Sequence, residues 1–528
     1  MPSSKSKKTN DKPNAPANKQ SELKSQKKST KRLASVHSKA KKTKKGNSAL
    51  NEIPLQECPL NFSDPEKFLS SLLSPVCDLE TFFNDYWEKK PLHIPFSTRQ
   101  NETVDKKEDG SNLESYFKKL FNLEILEKIV ESHELTYKVD INACKYDGTN
   151  REDYQAEGVV QLQDINNIFN LNKMTMQFHQ PQRFHDELWK IQEKLESYFG
   201  CLVGSNIYMT PEGTQGLAPH YDDVEVFILQ LGGCKDWKLY SPVQKLAREC
   251  SRDLDKETME KLDLIMELTM QPGDLMYFPR GTVHQAKVKE GCGMSTHITI
   301  STYQNHCWGD YLVTTLPHLI DRCTDQQSVL RRGLPLKYTD KVTTAEFSKQ
   351  FLEILDAAKS AITKNLVECE RSNTMASDFF ANRLPPFKHK GEPTGEIPSQ
   401  KSSIRFLHPD HMLISRGKGL YDDEDPLDED DEELLDCDVN NNLTDNEDEM
   451  YIYFSTNNKR ENHMRGDPVT KPSGLRFDIS CMEPLKKLKE SGNEFIEVEK
   501  LNPPVHLGLD MLIGLWAEGL IECKPAGK

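Results

Sequence analysis

The chain has 528 residues, a hydrophobic fraction of 36% and a formal net charge of −15. That length predicts two or three domains, and the low apolar fraction predicts disordered stretches beside real cores. Nothing approaches the roughly 18 consecutive apolar residues of a membrane span, and the 13 cysteines form no CxxC pair behind no secretory-like leader. The expectation is a soluble, reduced intracellular protein with ordinary thiols.

Charge divides the chain. Residues 1–46 carry 15 Lys or Arg against Asp11 and Glu22, whereas residues 422–449 carry 16 acids and no base. The first 50 residues read as a disordered basic tail, suited to nuclear or nucleolar import and to loose RNA contact. The plainer reading is a solubilising arm. The acidic stretch, at about 421–449, reads as a disordered insertion.

The globular pattern begins near residue 58 with PLNFSDPEKFLSSLLSPVCDLETFFNDYWEKKPLHI, in which Ser63 and Asp64 are helix-cap candidates. Residues 96–112 read as loop and 113–133 as helix. PQRFHDELWKIQEKLESYFG (181–200) is an amphipathic helix with Phe184, Leu188, Ile191, Leu195 and Tyr198 on its apolar face and Gly200 as C-cap. Between 202 and 303 the period shortens. LVGSNIYMT, VEVFILQL, WKLYSP, DLMYFP and HITISTY are strand-like runs bounded by Gly, Pro and Asp, which predicts an antiparallel barrel or jelly roll. Helix returns over 312–383, clearest in FSKQFLEILDAAKSAITKNLVE, and LPPF closes it. Residues 400–525 mix short strands (IRFL, MYIYFS) with helices (MEPLKKLKES, HLGLDMLIGLWAEGL).

Within APHYDDVEVFILQL, polar metal-binding types stand against a buried strand. On a strand, residues i and i+2 share a face, which would put His220 and Asp222 together. One imidazole and one carboxylate need a second histidine to make the facial triad of a non-haem Fe(II) centre. HxD alone is weak, and His408-Pro409-Asp410 is a second match. Its proline and the lack of a following apolar run mark it as loop. The first match is followed by MQPGDLMYFPRGTVHQA (270–286), where a turn, a strand and a second turn present His284. His220, Asp222 and His284 are the predicted metal ligands and catalytic centre. Asn206 and Tyr208 share a face of one strand, as do His297, Thr299 and Ser301 of another. Such polar stripes inside a β-core need partners, which a bound dicarboxylate or polar substrate would supply.

HYDDVEVFILQLGGCKDWKLY, PGDLMYFPRGTVHQA and STHITISTYQNHCWGD, with FHQPQRFHDELWKIQEKLESYFG and YIYFSTNNKRENHMRG, resemble the JmjC oxygenases of the ribosomal-oxygenase family from about residue 58 onward. The basic tail and the large acidic block depart from that family's shorter members. The resemblance implies an α+β multidomain protein. It would have a JmjC double-stranded β-helix (jelly-roll or cupin) core at 58–311, a helical dimerisation region at 312–395 and a C-terminal winged-helix domain at 396–528. It implies Fe(II) as cofactor, with 2-oxoglutarate and O2 as co-substrates. Lys235 matches the lysine that pairs with the distal carboxylate of 2-oxoglutarate, and Tyr208, Thr299, Asn206 and Ser301 become further co-substrate contacts.

The implied reaction is hydroxylation of a histidine β-carbon in a large-subunit ribosomal protein, with histone-lysine demethylation as a second use of the same iron. The acidic body suits a basic protein substrate. A homodimer is implied, and a nuclear or nucleolar location. Direct duplex DNA binding is not expected, because LKKLKES is only a local basic cluster in an acidic segment. Two other readings compete: a catalytically idle nucleolar or chromatin scaffold, and a Mn or Zn cupin of different chemistry.

Overall fold

Asp64 accepts a 2.8 Å hydrogen bond from the Lys67 N–H and Pro65 sets the first turn, so helix α1 (Pro65–Leu73) starts where the cap residues place it. It buries Phe68, Leu69, Leu72 and Leu73. In this computed structural model, the described residues are 58–100, 113–365, 374–416, 449–466, 472–504 and 507–525, within one unit spanning Leu50–Lys528. The basic tail and nearly all of the acidic stretch lie outside them.

Residues 113–133, read as one helix, are two. Asn122 caps the second through the Ile125 N–H, separating α2 (Leu113–Leu120) from α3 (Leu123–Ser132). Helix α4 (Asp186–Phe199) ends at Gly200 with φ +67°, the left-handed cap that favours glycine. Pro181–Arg183 forms a separate single turn before it. Besides its apolar face, α4 buries Glu187, Gln192, Glu193 and Glu196, which amphipathic periodicity did not foresee.

Eleven strands build the two sheets of the first core. In chain order they are β1 (Leu92–Ile94), β2 (Ile141–Tyr146), β3 (Arg151–Asp153), β4 (Thr175–His179), β5 (Gly204–Thr210) and β6 (Glu225–Gly232), then β7 (Lys235–Tyr240), β8 (Leu264–Met270), β9 (Leu275–Phe278), β10 (Val283–Lys287) and β11 (Ser295–Thr302). The larger sheet has the order β1-β9-β6-β11-β5-β4-β2-β3 and the smaller β10-β7-β8. All their pairings are antiparallel.

Consecutive strands β6 and β7 belong to different sheets. Val226, Ile228, Met276 and Phe278 of the larger sheet meet Trp237, Leu239 and Met270 of the smaller in one apolar layer. The alternate residues Phe227, Leu229 and Tyr277 join the main core with the helices. Strand β6 is therefore covered on both faces, and its unbroken apolar run follows from that double burial. The five expected strands are present. Missed were β2, β3 and β4, which extend the sheet, together with β1, β8 and β10. Strand β3 is exposed throughout, which removes the apolar signal that sequence reading needs; β8 (LIMELTM) carries that signal although only Met270 is buried.

Beyond the barrel come α5 (Trp308–Gln326), α6 (Ala345–Asn365) and α7 (Thr374–Asn382), the first starting four residues ahead of the expected boundary. Residues 394–525 hold a four-stranded and a three-stranded sheet with helices α8 (Met482–Glu490) and α9 (Gly508–Ala517) over a core that includes Ile404, Phe454, Leu485 and Leu515.

This C-terminal part meets α4 through buried polar groups. Glu193 lies 2.8 Å from His411 Nε2, and Glu196 lies 2.8 Å from His463 Nε2. The Arg383 guanidinium donates to the Ser197 hydroxyl and the Asp410 carbonyl, both at 2.6 Å. His408-Pro409-Asp410, the second HxD, lies at a short 3-10 turn, Pro409–His411, as its proline indicated. Among the described residues, no helix is long and apolar enough to cross a membrane.

Candidate metal centre

His220 and Asp222 come together, though not by sharing a strand. Strand β6 starts only at Glu225; His220 forms an isolated bridge and Asp222 sits in the loop between. The apolar run that advertised the motif thus begins just after it. What fixes the motif is tertiary pairing. The His220 N–H donates to the His284 carbonyl at 3.2 Å and the His284 N–H returns to His220 at 2.8 Å.

The Gly281 N–H also donates to the Asp222 carbonyl at 2.9 Å. Gly281 has φ +84°, and a Cβ there would lie 2.2 Å from the Gln244 carbonyl oxygen, so only glycine fits this turn. Arg280 beside it is anchored at 2.7 Å by each of Glu225 and Glu88, and the Tyr277 hydroxyl donates to Glu225. A buried ion network therefore holds the loop that delivers His284.

Both imidazoles are oriented alike. Nδ1 of His220 lies 2.8 Å from the Ala218 carbonyl and Nδ1 of His284 lies 3.1 Å from the Thr282 carbonyl. Each Nδ1–H donates there, which leaves the Nε2 lone pairs for a metal. Those nitrogens stand 3.9 and 3.6 Å from the Asp222 carboxylate oxygens, and the candidate ligand atoms of all three residues lie within 4.8 Å of one another. Burial, with His220 alongside, pushes His284 down to about 4, so it stands neutral at pH 7, as a ligand must. Two imidazoles and one carboxylate on one side suit a divalent first-row ion with positions left open.

These residues line a cavity with Thr175, Tyr208, Lys235, Trp237, His297 and Thr299 among its walls. Lys235 is only 5% exposed. Its ammonium donates to the Thr210 hydroxyl at 3.1 Å, and burial pushes it down to about 7. A buried ammonium facing a neutral hydroxyl lacks the counter-charge that would stabilise it. His297 Nδ1 and Trp237 Nε1 are likewise buried without a hydrogen-bond partner. A dicarboxylate anchored at Lys235 and chelating the metal is the ligand chemistry this donor set fits.

Other expected contacts separate. Tyr208 and Thr299 line the cavity, and the Tyr208 ring stacks on His297 at 4.9 Å while its hydroxyl accepts from Gln177 at 2.8 Å. Asn206 and Ser301 are not among the lining residues. The Asn206 side chain accepts from His179 at 3.0 Å, and Ser301 lines a separate cavity with His306 and Asp378. Each is two residues along its strand from a lining residue, a displacement of about 6–7 Å. Sequence reading passed over Trp237 and Thr210. Trp237 was legible, since it lies two residues beyond Lys235 on one strand. Thr210 emerges only from the tertiary hydrogen bond between the end of β5 and the start of β7.

The JmjC domain model matches residues 177–306, an interval that contains His220, Asp222, Lys235 and His284. Ribosomal oxygenase 2 of Bos taurus is 39% identical over 473 residues, covering 88% of this chain and 93% of that protein. The Rattus norvegicus protein of the same name is 38% identical over 480 residues, covering 89% and 94%.

The chain belongs to the ribosomal oxygenase family. As a JmjC ribosomal oxygenase it is a 2-oxoglutarate-dependent dioxygenase that uses Fe(II) and O2. The bifunctional lysine-specific demethylase and histidyl-hydroxylase NO66 of Aedes aegypti is 29% identical over 454 residues, or 84% of this chain and 65% of that protein. A solved structure of the Escherichia coli ribosomal oxygenase YcfD, in complex with cobalt and 2-oxoglutarate, aligns with a TM-score of 0.40 and 12% identity over 85% of this chain and 99% of that one.

Proposed function

We propose that this ribosomal oxygenase hydroxylates the β-carbon of a histidine in a large-subunit ribosomal protein. The observation that carries the reading is one cavity holding His220, Asp222 and His284 together with the buried, carboxylate-free Lys235. When bound, Fe(II) and 2-oxoglutarate supply the oxidising chemistry: one atom of O2 enters the substrate, the other enters succinate, and carbon dioxide leaves. His220, Asp222 and His284 would hold the metal, and Lys235 the distal carboxylate of 2-oxoglutarate. Tyr208 and Thr299 are assigned to the same co-substrate wall.

The chain's own part is to place one C–H bond at this centre and keep other bonds away. An acid excess outside residues 1–46 favours basic protein substrates through steering. Applied to an N-methyl group, the same chemistry gives lysine demethylation, which the NO66 relative's name supports as a second activity.

The assembly assigned to the protein is a homodimer through the helical region. Trp308 and Val313 on α5 are 81% and 74% exposed, and Phe351 and Leu352 on α6 are 56% and 58% exposed. Apolar surface of that extent on adjoining helices is what an obligate interface covers. The 396–528 region is assigned as a winged helix serving protein contacts, and the basic tail as a nuclear and nucleolar address.

The test is mass spectrometry of a mixed panel of histidine-containing ribosomal peptides and methylated histone tails, incubated with enzyme, Fe(II), ascorbate and 2-oxoglutarate. One oxygen gained on histidine, absent with His284→Ala, is the expected result. Methyl loss from lysine alone would move the function to chromatin, and no succinate from either class would leave the scaffold reading in its place.

A further inference from the structure

Thiols expected to stand singly are paired at one place: the structure joins Cys234 to Cys292, 58 residues apart in sequence, with Cα atoms 5.4 Å apart. That separation is ordinary for a disulfide and needs no backbone movement. Both residues lie in glycine turns. Cys234 follows Gly232-Gly233, and Cys292 stands between Gly291 and Gly293, with φ +87° and +66°.

The two turns are packed together independently of sulfur. A Cβ on Gly233 would lie 2.4 Å from the Met294 carbonyl oxygen. The Gln230 amide donates to the Gly232 carbonyl at 2.8 Å and to Ser295 Oγ at 2.9 Å. Lys289 pairs with Asp236 at 2.9 Å. The cysteines are thus held in register whether or not the bond exists.

Cys58 and Cys307 are partly exposed, as are Cys234 and Cys292; what sets Cys234 and Cys292 apart is that each faces the other. Cys144 and Cys201 are buried, and burial pushes each up to about 11, which leaves them unreactive at neutral pH. Cys234 and Cys292 are partly exposed and open to a small oxidant. Cys250 is exposed and belongs to no disulfide. The residue after Cys234 is Lys235, whose ammonium donates to the Thr210 hydroxyl at 3.1 Å.

We infer that Cys234 and Cys292 are a reversible dithiol–disulfide site, oxidised by peroxide, that stiffens the turn leading into Lys235 at the start of β7 and so raises affinity for the 2-oxo dicarboxylate. One thiolate attacks the peroxide O–O bond, forming a sulfenic acid and releasing water. The partner thiolate then displaces the second oxygen as water, and the S–S bond forms. Overall, two thiols and one hydrogen peroxide give one disulfide and two waters, each sulfur losing one electron. In a reducing compartment the pair rests as dithiol and closes only under oxidant. The link to affinity rests on the co-substrate role proposed for Lys235; the pairing itself does not.

The test uses the full chain, treated with stoichiometric hydrogen peroxide before iron is added. The peroxide is then removed, free thiols are alkylated, and the protein is digested without reductant. A cross-linked peptide joining Cys234 to Cys292 is expected, cleaved by dithiothreitol and absent from Cys234→Ser and Cys292→Ser. Cys250 should carry only terminal oxidation or alkylation. Independent alkylation or sulfinic acid at both 234 and 292 would overturn the pairing, and this readout needs no turnover.

With Fe(II) restored, the oxidised protein should show a KM for 2-oxoglutarate about threefold or more below that of the reduced protein, with kcat unchanged. Both serine variants should behave as the reduced form in either condition. Equal KM values in the two states would overturn the effect on Lys235.

Discussion

The metal cavity and the seam between α4 and the C-terminal region are both rich in buried polar groups, and they differ in how those groups are satisfied. In the seam, His411 has Ser455 Oγ at 2.7 Å from one ring nitrogen and Glu193 at 2.8 Å from the other; His463 is flanked by Gln182 at 2.9 Å and Glu196 at 2.8 Å. Glu196 also accepts from the N–H groups of Val203 and Leu384, at 3.2 and 2.8 Å. In the cavity, the Lys235 ammonium meets a neutral hydroxyl and the face of the Trp237 ring but no carboxylate, and His297 and Trp237 each leave a nitrogen unpaired. Buried polarity that is closed upon itself holds parts together, whereas buried polarity left open awaits a ligand. Isolated atoms of Gln192 and Arg383 remain unpaired in the seam too, but beside groups whose other atoms are bonded.

The contrast predicts opposite responses to mutation. Asp222→Ala should reduce succinate formation to the uncatalysed background while circular dichroism and melting temperature stay near wild type. Turnover that survives would break the ligand assignment. Glu196→Ala should do the reverse, costing about 3 kcal/mol of stability by leaving His463 and two backbone donors unpaired. In denaturant melts the folded fraction should fall, while kcat per folded molecule is retained.

Lys235→Ala should raise the KM for 2-oxoglutarate by about 10- to 100-fold, the worth of one charge-assisted hydrogen-bonded pair, with little change in stability. Equal losses of KM and stability there would erase the distinction between cavity and seam.

Two pH profiles sharpen the comparison. Burial holds Lys235 at about 7, below its unfolded value, so above pH 7 the free protein presents a neutral amine. Binding a dianion then requires proton uptake, and the KM for 2-oxoglutarate should rise with pH by up to about tenfold per unit above 7. Outside the cavity, burial lowers His185 and His408 to about 4. Below about pH 6.5 the unfolded chain binds protons that these folded imidazoles refuse. Their stability contribution is whole above that pH and is lost as pH falls toward the folded values. At pH 5.5 each should cost about 1.4 kcal/mol, read as a falling melting temperature between pH 7 and 5.

How much of this was legible follows from where physical signals reside in a chain. Caps are local, so Asp64 and Gly200 marked helix ends that the structure retains. Strand β6 is buried on both faces, which makes its run continuous and readable. Strand β3 is exposed along its length and carried no such signal. The helical stretch at 113–133 was legible as helix, but the break at Asn122 depended on a single side-chain cap.

The sequence by itself picked out the three residues of the candidate centre. His220 and Asp222 stood against a buried apolar run and His284 followed a turn, a strand and a second turn, because residue type and local backbone bias are properties of residues and their neighbours. It also determined the five strongest strands and the rejection of the His408 decoy, whose proline denies it a central strand.

Tertiary structure decided the rest. The bridge between His220 and His284, rather than a shared strand, brought the ligands together. Strand register placed Tyr208 and Thr299 on the cavity and left Asn206 and Ser301 aside. Chain reversal set Cys234 against Cys292 and α4 against His411 and His463. Each depends on which distant segments become neighbours, a choice set by packing both faces of two sheets at once and therefore written in no single stretch of sequence.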